Sequence, residues 1–529
     1  MAAAAEVFGI DLRSLALLRL GLAAVLLGDI AGRLPDLAAH YTDAGVLPRQ
    51  AALTWLPVEA HLSVYMLSGA AWFAAAVLCL AALAAGALAA GWHTRLASVV
   101  SWYLVFALQA RNPAVEHSGD NVLRLMLFWA MFLPLADRWS LDRAAGRLAA
   151  PPPQATQAAP RVVSAAAVAA RLQLCLVYWT TAVWKWDPAW ISEGTAINTA
   201  MRLDYLSTSW GRFLLRFPRL LVWLTRGSLG LEIAAPLAAW SPVLTGPVRS
   251  LVVLAMVLFH LCGIGPALRL GIFPWVAAVA WFLFLPGWLW DRLDAGRLGA
   301  LMARLDRADA GGAARRLPRP HLSPWPQRGR RLADLLAGCL LVFVVLLNLR
   351  EVAPERFARL LPAATAVTAV TAVTAASAAI EQGLALHQRW NMFAPAPPTD
   401  DGWFVVVGRL AGGGMVDPWR EAPVDRARPE RFAAVYGDVR WTKYLTNLRR
   451  ADYVFHRRLF GNYLCRRWNA AHGGGSRLQG LALVFMLERT VPPDRELPAE
   501  PLLLFSQPCP DGAAAAAGGT GRTGATPAP

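Results

Sequence analysis

Nine stretches of this chain are apolar over lengths that suit a lipid bilayer, and this pattern restricts the fold more than any other feature of the sequence. They lie near Arg13–Arg33, Val64–Gly91, Leu96–Ala110, Val122–Leu135, Val163–Trp186, Leu220–Trp240, Leu251–Gly265, Leu268–Trp290 and Leu332–Leu349. A spanning helix needs about 20 predominantly apolar residues. Inside the hydrocarbon layer no water meets backbone polar groups, so such a run must satisfy its own hydrogen bonds as a helix. Residues 1–350 are therefore expected to form an all-α polytopic membrane bundle of about nine transmembrane helices. The first run lacks a small-residue cleavage site and reads as a retained span, not a signal peptide. Composition agrees: 56% of residues are hydrophobic and 16% charged, against about 45–50% and about 25% in soluble chains.

The formal net charge of +16 raises the question of nucleic acid, but no basic stripe interleaved with aromatics and no nucleic-acid module is present. Most of the excess sits in loops between apolar runs, where cytoplasmic Arg and Lys orient a membrane protein. The Arg-rich stretch Asp291–Arg331 and the Pro/Ala-rich stretch Arg138–Arg161 are separated by an even number of runs, so both belong inside. The N-terminus is then cytoplasmic and the C-terminal region outside. One loop disagrees: Lys185–Arg226 would lie outside yet carries five arginines. Short helices docked on the bundle would accommodate it.

Beyond the bundle, residues 351–387 read as a linker or surface helix, because the alternating tract Thr365–Ala375 is too weakly apolar to span. Residues 388–510 read as a small α+β extracytoplasmic domain. Strands are predicted at Trp403–Leu410, Met415–Trp419 and Leu481–Glu488, with a hairpin turn at Gly412–Gly414. Helical spacing marks Arg440–Arg450 and Tyr463–Asn469. Residues 511–529 have the composition of a disordered tail. The six cysteines show no metal-ligand spacing. Cys465 and Cys509 either pair, if their domain is extracytoplasmic, or stay free thiols, since sequence does not give their distance.

Given this topology, four polar clusters converge on the outer side: Tyr41–Pro48, Arg111–Asp120, Tyr178–Trp190 and Arg269–Trp275, with His260 just upstream of the last. Lys185 stands out as the first lysine in the chain, with none following until Lys443. A lysine, unlike an arginine, loses its proton readily on burial, and Trp184, Trp186 and Trp190 offer an apolar surround. Lys185 is thus either a general base or an interfacial lysine reaching for headgroups. His260 is either a functional group or a helix-packing histidine.

The order YTDAG, RNP…GD, YW…KW…W…GTAI and H…LGIFPW, over about Arg13 to Pro286, resembles the HTTM domain family, bacterial relatives of vitamin K-dependent gamma-carboxylase. The segment Gln388–Pro397, QRWNMFAPAP, is similar to that family's post-membrane segment. The resemblance implies a base at Lys185 and a second catalytic residue at His260, with Trp190 and Phe273 in the matching segments. Asp120 and Arg111, charges that either hold a substrate or simply pair with their neighbours, complete the candidate substrate or cofactor pocket with Trp184, Trp186, Arg389 and Trp390. It also implies reduced vitamin K or menaquinol as cofactor. In that chemistry the deprotonated quinol reacts with oxygen, the strong base so formed takes a proton from a glutamate side chain, carbon dioxide adds, and the quinone leaves as an epoxide. Two departures bear on this. The histidine of the carboxylases' W-N-N-H-type segment is replaced by Gly119–Asp120, with His117 offset, and the long substrate-capturing lumenal region is reduced to a short domain. Two function classes follow: a quinol-dependent carboxylase or oxygenase, or a non-catalytic export or maturation factor. Both work in a lipid bilayer, expected to be a bacterial inner membrane, with a secreted peptide or protein as client or, for the enzyme, a lipid-soluble substrate.

Overall fold

The computed structural model describes residues 2–146, 161–295, 327–353, 377–489 and 498–510. The Thr365–Ala375 tract, most of the Asp291–Arg331 loop and the tail lie outside the described residues. In chain order the helices of the first part are α1 (Leu12–Arg33), α2 (Ala71–Ala90), α3 (Thr94–Arg111), α4 (Ser118–Ala130), α5 (Ala165–Trp184), α6 (Ala196–Arg202), α7 (Ser209–Leu214), α8 (Pro218–Ala238), α9 (Thr245–Ala267), α10 (Phe273–Phe284), α11 (Gly287–Asp294) and α12 (Arg331–Val352).

Six of these, α1, α2, α5, α8, α9 and α12, are long and apolar enough to cross a bilayer, and the pair α10–α11, bent by 88°, makes a seventh if it is one span. The expectation of about nine is corrected to six or seven candidate spans among the described residues. Two apolar runs fall short for visible reasons. α3 carries Thr94, Arg95, Ser98, Ser101, Gln109 and Arg111 within 18 residues. α4 has only 13 residues, about 20 Å of helix at 1.5 Å per residue, against a hydrocarbon layer of about 30 Å. The break between α10 and α11 falls at Leu285–Pro286, where proline cannot continue the ladder. Carbonyls freed there find partners: Leu283 accepts from Arg171 Nε at 2.9 Å and Leu285 from Ser14 Oγ at 2.8 Å. The bundle core holds Leu22, Leu78, Leu123, Trp129, Leu174 and Trp281. Trp72, Leu83, Trp223 and Leu251 point outward, apolar on a face that lipid would cover. Several candidate spans with apolar outer faces make this an integral membrane protein.

The arginine-bearing stretch after Lys185 folds as the two short helices α6 and α7, as its docking on the bundle requires. The C-terminal part contains β1 (Asp400–Leu410), β2 (Met415–Val416), α13 (Val439–Leu448), α14 (Val454–Ala471), β3 (Leu478–Arg489) and β4 (Glu500–Pro508). They form a four-stranded antiparallel sheet of order β2-β1-β3-β4. The β1–β2 hairpin turns through Gly413 and Gly414, at φ 90° and 85°, a left-handed region that favours glycine. The predicted strand Met415–Trp419 stops at Val416, because Asp417 accepts the amides of Trp419 and Arg420 and turns the chain. Cys465 and Cys509 are joined by a disulfide. One hydrophobic cluster contains Val46, Leu47, Ala114 and Val115 of the bundle together with Trp441, Tyr444 and Phe460, so the domain sits directly on the bundle's loops.

Candidate functional site

Along α5, Tyr178, Thr181 and Lys185 follow at spacings of three and four, one face of a helix. All three line a cavity of about 770 Å³ that also receives α8, the end of α9, the loop before α10, and α13. Val183 and Trp186, one turn apart on the other face, are exposed. This helical phase puts Lys185 inward and Trp186 outward.

Lys185 is buried. Its Nζ donates to both carboxylate oxygens of Glu232 on α8, at 2.7 and 2.9 Å, and lies 4.2 Å from the centre of the Trp190 ring. A headgroup-seeking lysine would be exposed and unpaired. Trp190 in turn donates from Nε1 to the Phe393 carbonyl at 3.1 Å, tying the post-membrane segment to the cavity wall.

His260 lies where α9 widens into a π-helical turn over Phe259–Ile264, a distortion that often marks functional positions. Its Nδ1 faces the Met256 carbonyl at 2.7 Å and its Nε2 the Tyr178 hydroxyl at 3.2 Å. A carbonyl only accepts, which assigns the proton to Nδ1 and leaves Nε2 to accept from Tyr178. Trp281 Nε1 donates to the same hydroxyl at 2.9 Å. His260 therefore lines the cavity with both nitrogens engaged.

His117 enters from the other side as the N-cap of α4. Its Nδ1 accepts from the Gly119 amide at 3.1 Å, while Asp120 Oδ2 accepts from the His117 amide at 2.8 Å, a reciprocal capping box. Burial holds the His117 imidazole well below its usual range, at about 4. Gly271 has φ +60°, and a Cβ there would come within 2.5 Å of His117 Nε2. Only glycine lets the LGIFPW loop close on this ring.

Among the residues expected at the site, Lys185, His260, Trp190 and Phe273 meet at the cavity. The other six are placed elsewhere. Asp120 is fully buried in an ion cluster beside the cavity, bonded to Arg33 at 2.8 Å and to Arg440 of α13 at 2.7 Å. Arg111 uses its guanidinium to hold the Tyr41–Pro48 loop through the Leu47 and Thr42 carbonyls, at 2.8 and 3.2 Å. Trp184 lies under the exposed Arg389, whose guanidinium carbon is 5.8 Å from its ring centre. Trp186 is 78% exposed and Trp390 is sealed in the bundle core, donating to Gln388 at 2.9 Å. Of the post-membrane segment, Met392 and Phe393 are the residues that reach the cavity.

The sequence reading passed over Glu232, Tyr178 and Lys443. A single carboxylate inside the run Leu220–Trp240 was a legible signal for Glu232, since an ionisable group in a span is functional by default. Tyr178 required the helical phase of α5, and Lys443 required knowing that α13 roofs the cavity.

Neither curated proteins nor solved structures gave a match to this chain. The HTTM domain model, by contrast, matches residues 9–288, a segment that contributes Lys185, Glu232, His260 and most of the cavity wall. As that segment is more than half of the 529 residues, this membrane protein belongs to the HTTM domain family.

Proposed function

We propose that this protein is a quinol-dependent carboxylase or oxygenase of the membrane, with Lys185 as its base. The observation that carries the reading is a buried lysine–carboxylate pair on the wall of a largely apolar cavity, Lys185 Nζ to Glu232 at 2.7 Å. About 770 Å³ falls within the range of sites that enclose small apolar ligands. Aromatic walls at Trp190, Phe259 and Phe273 suit a flat ring, so the residues present fit reduced vitamin K or menaquinol. Such a quinol, when bound, supplies the electrons that reduce oxygen.

The chain's own contribution is proton handling. Moving a proton from Lys185 Nζ to Glu232 converts an ion pair into a neutral amine and a neutral acid. Net charge in the cavity is zero in both forms, so a free amine arises without leaving an uncompensated buried charge. A free Nζ within hydrogen-bond reach of a bound hydroxyl then accepts its proton. Tyr178 and His260 orient the same wall, and α13 roofs the cavity.

The disulfide Cys465–Cys509 supports an oxidising compartment for the C-terminal domain. With the bent pair α10–α11 counted as one span, losing α3 and α4 together takes the count from nine to seven, which keeps the N-terminus cytoplasmic and the domain outside. A secreted peptide or protein client fits that side. The test is oxygen-dependent oxidation of menaquinol by the protein in lipid nanodiscs. Lys185→Ala is expected to lose at least 100-fold in rate, and Glu232→Gln to lose rate with an altered pH profile. Undiminished turnover in Lys185→Ala would sink the assignment.

A further inference from the structure

The chain has 51 Lys and Arg residues, and only two of them, Lys185 and Lys443, are lysines. Both line the same cavity. They come from different parts of the molecule: Lys185 ends α5 of the bundle, and Lys443 lies on α13, outside the segment matched by the HTTM domain. In a chain that otherwise uses arginine for its cations, the compact ammonium on a flexible stem is kept for this one space.

The charges around the cavity do not balance. Among its described lining residues the only carboxylate is Glu232, and Lys185 already neutralises it at 2.7 and 2.9 Å. The remaining cations on the wall are Arg269 and Lys443, neither of which has an ion-pair partner among the described residues. Arg269 is fixed by its backbone, which donates to the Leu206 carbonyl at 2.7 Å. Lys443 is flanked by Thr442 and Thr446, two hydroxyl-bearing neighbours on the same wall. Apart from these groups and the polar face of α5 the wall is largely apolar, and Trp223 and Leu224 on α8 are both exposed on the outer surface of the bundle.

We infer that the cavity has a second, anion-binding end, built by Lys443 and Arg269, which takes the carboxylate or phosphate of an amphiphile whose apolar body lies along α8 and α9. Two cations with no ion-pair partner among the described residues, on the wall of a largely apolar space, favour a ligand carrying negative charge at one end and hydrocarbon at the other. Burial, with Arg450 nearby, lowers the Lys443 ammonium from its ordinary range, the cost that a bound anion would offset. This site does not depend on quinol chemistry, because it concerns what is held at the roof and not what reacts at Lys185.

The scarcity of lysine gives a direct assay. Full-length protein in nanodiscs is treated with an amine-acylating reagent, and modification of Lys185 and Lys443 is followed by peptide mass spectrometry. Oleate or oleyl phosphate is expected to slow acylation of Lys443 at least tenfold, and oleyl alcohol to leave it unchanged. Protection by oleate alone identifies a free carboxylate as the source of the anion, and protection by oleyl phosphate alone a phosphate headgroup. Lys443→Met is expected to weaken binding of the protecting anion, read as retention of the radiolabelled anion on protein-loaded over empty nanodiscs, at least tenfold, with Lys443→Arg restoring most of it. Equal protection by the alcohol, protection by neither anion, or unchanged binding in a folded Lys443→Met would each overturn the inference.

Discussion

Arg440 is the residue whose loss should most disturb the seating of the C-terminal domain. Its guanidinium reaches from α13 into the bundle, donating to Asp29 at 2.6 Å, to both oxygens of Asp120 and to the Val115 carbonyl at 3.0 Å. Arg33 bridges the same carboxylates, at 2.8 Å to each. Asp29, Asp120, Arg33 and Arg440 are all buried, and their charges sum to zero. Arg440→Met leaves one negative charge without a partner, and breaking a buried pair from one side costs about 3–5 kcal/mol. Asp120→Asn leaves one positive charge. The double variant is neutral again, because the Arg33–Asp29 pair, four residues apart on α1, survives. The two substitutions should therefore couple by about 2 kcal/mol, within the range found for shared ionic networks. Pulse proteolysis across a urea series, reading the C-terminal domain, measures each of the three variants. A cost below about 1 kcal/mol for Arg440→Met, or strictly additive variants, would show that the cluster is well hydrated and refute the clamp.

Two further outcomes follow from the domain. Asp401, buried at the start of β1, is raised to about 7, chiefly by desolvation that outweighs the amides of Asp204 and Gly402. The folded state then binds this proton more tightly than the unfolded chain does, so stability is full below about pH 4, declines as pH rises toward 7 and levels off above; Asp401→Asn should flatten that slope in urea midpoints. Cys465→Ser opens a cross-link spanning 44 residues, a loss of about 4 kcal/mol by loop entropy. Reductant should lower the wild-type urea midpoint to that of the variant and leave the variant unmoved.

How far these features could be read from the sequence depends on whether they are local. The spans with high and continuous hydropathy, such as α1, α2 and α12, are legible because lipid imposes its requirement on each segment separately. α4 misleads because its apolar residues serve the protein core and not the lipid, a difference that only tertiary burial reveals, whereas α3 keeps Leu96, Val99 and Tyr103 exposed and falls short on its polar content. β4 escaped because its LLLF run does not alternate and prolines bound it at Pro501 and Pro508. At the site, Lys185 is legible as a rare residue beside tryptophans. Its partner Glu232 lies 47 positions away, and nothing local in the sequence pairs them. Asp120 and Arg111 attracted attention as charges in the right loops. Their actual work is to shape those loops and seat the domain, and a charge pattern alone does not separate that from catalysis.

The placement of α13 ties these observations together. Arg440, Lys443 and Asn447 follow at spacings of three and four, so they share one face of the helix. Arg440 locks that face to Asp29 and Asp120, and Asn447 donates to the Ala114 carbonyl at 2.8 Å. Lys443, held between these two anchors, is thereby set over the cavity that contains Lys185. Every bundle group that fixes the face, Asp29, Ala114, Val115 and Asp120, belongs to the HTTM segment, whereas the face itself does not. The cavity is thus closed by a part of the chain that lies outside the HTTM segment and is seated on groups within it. Changes in the clamp should reach Lys443 without touching the Lys185–Glu232 pair. Arg440→Met is accordingly expected to speed acylation of Lys443 while leaving that of Lys185 as it was, and equal acceleration at both lysines would mean that the cavity opens from the bundle side instead.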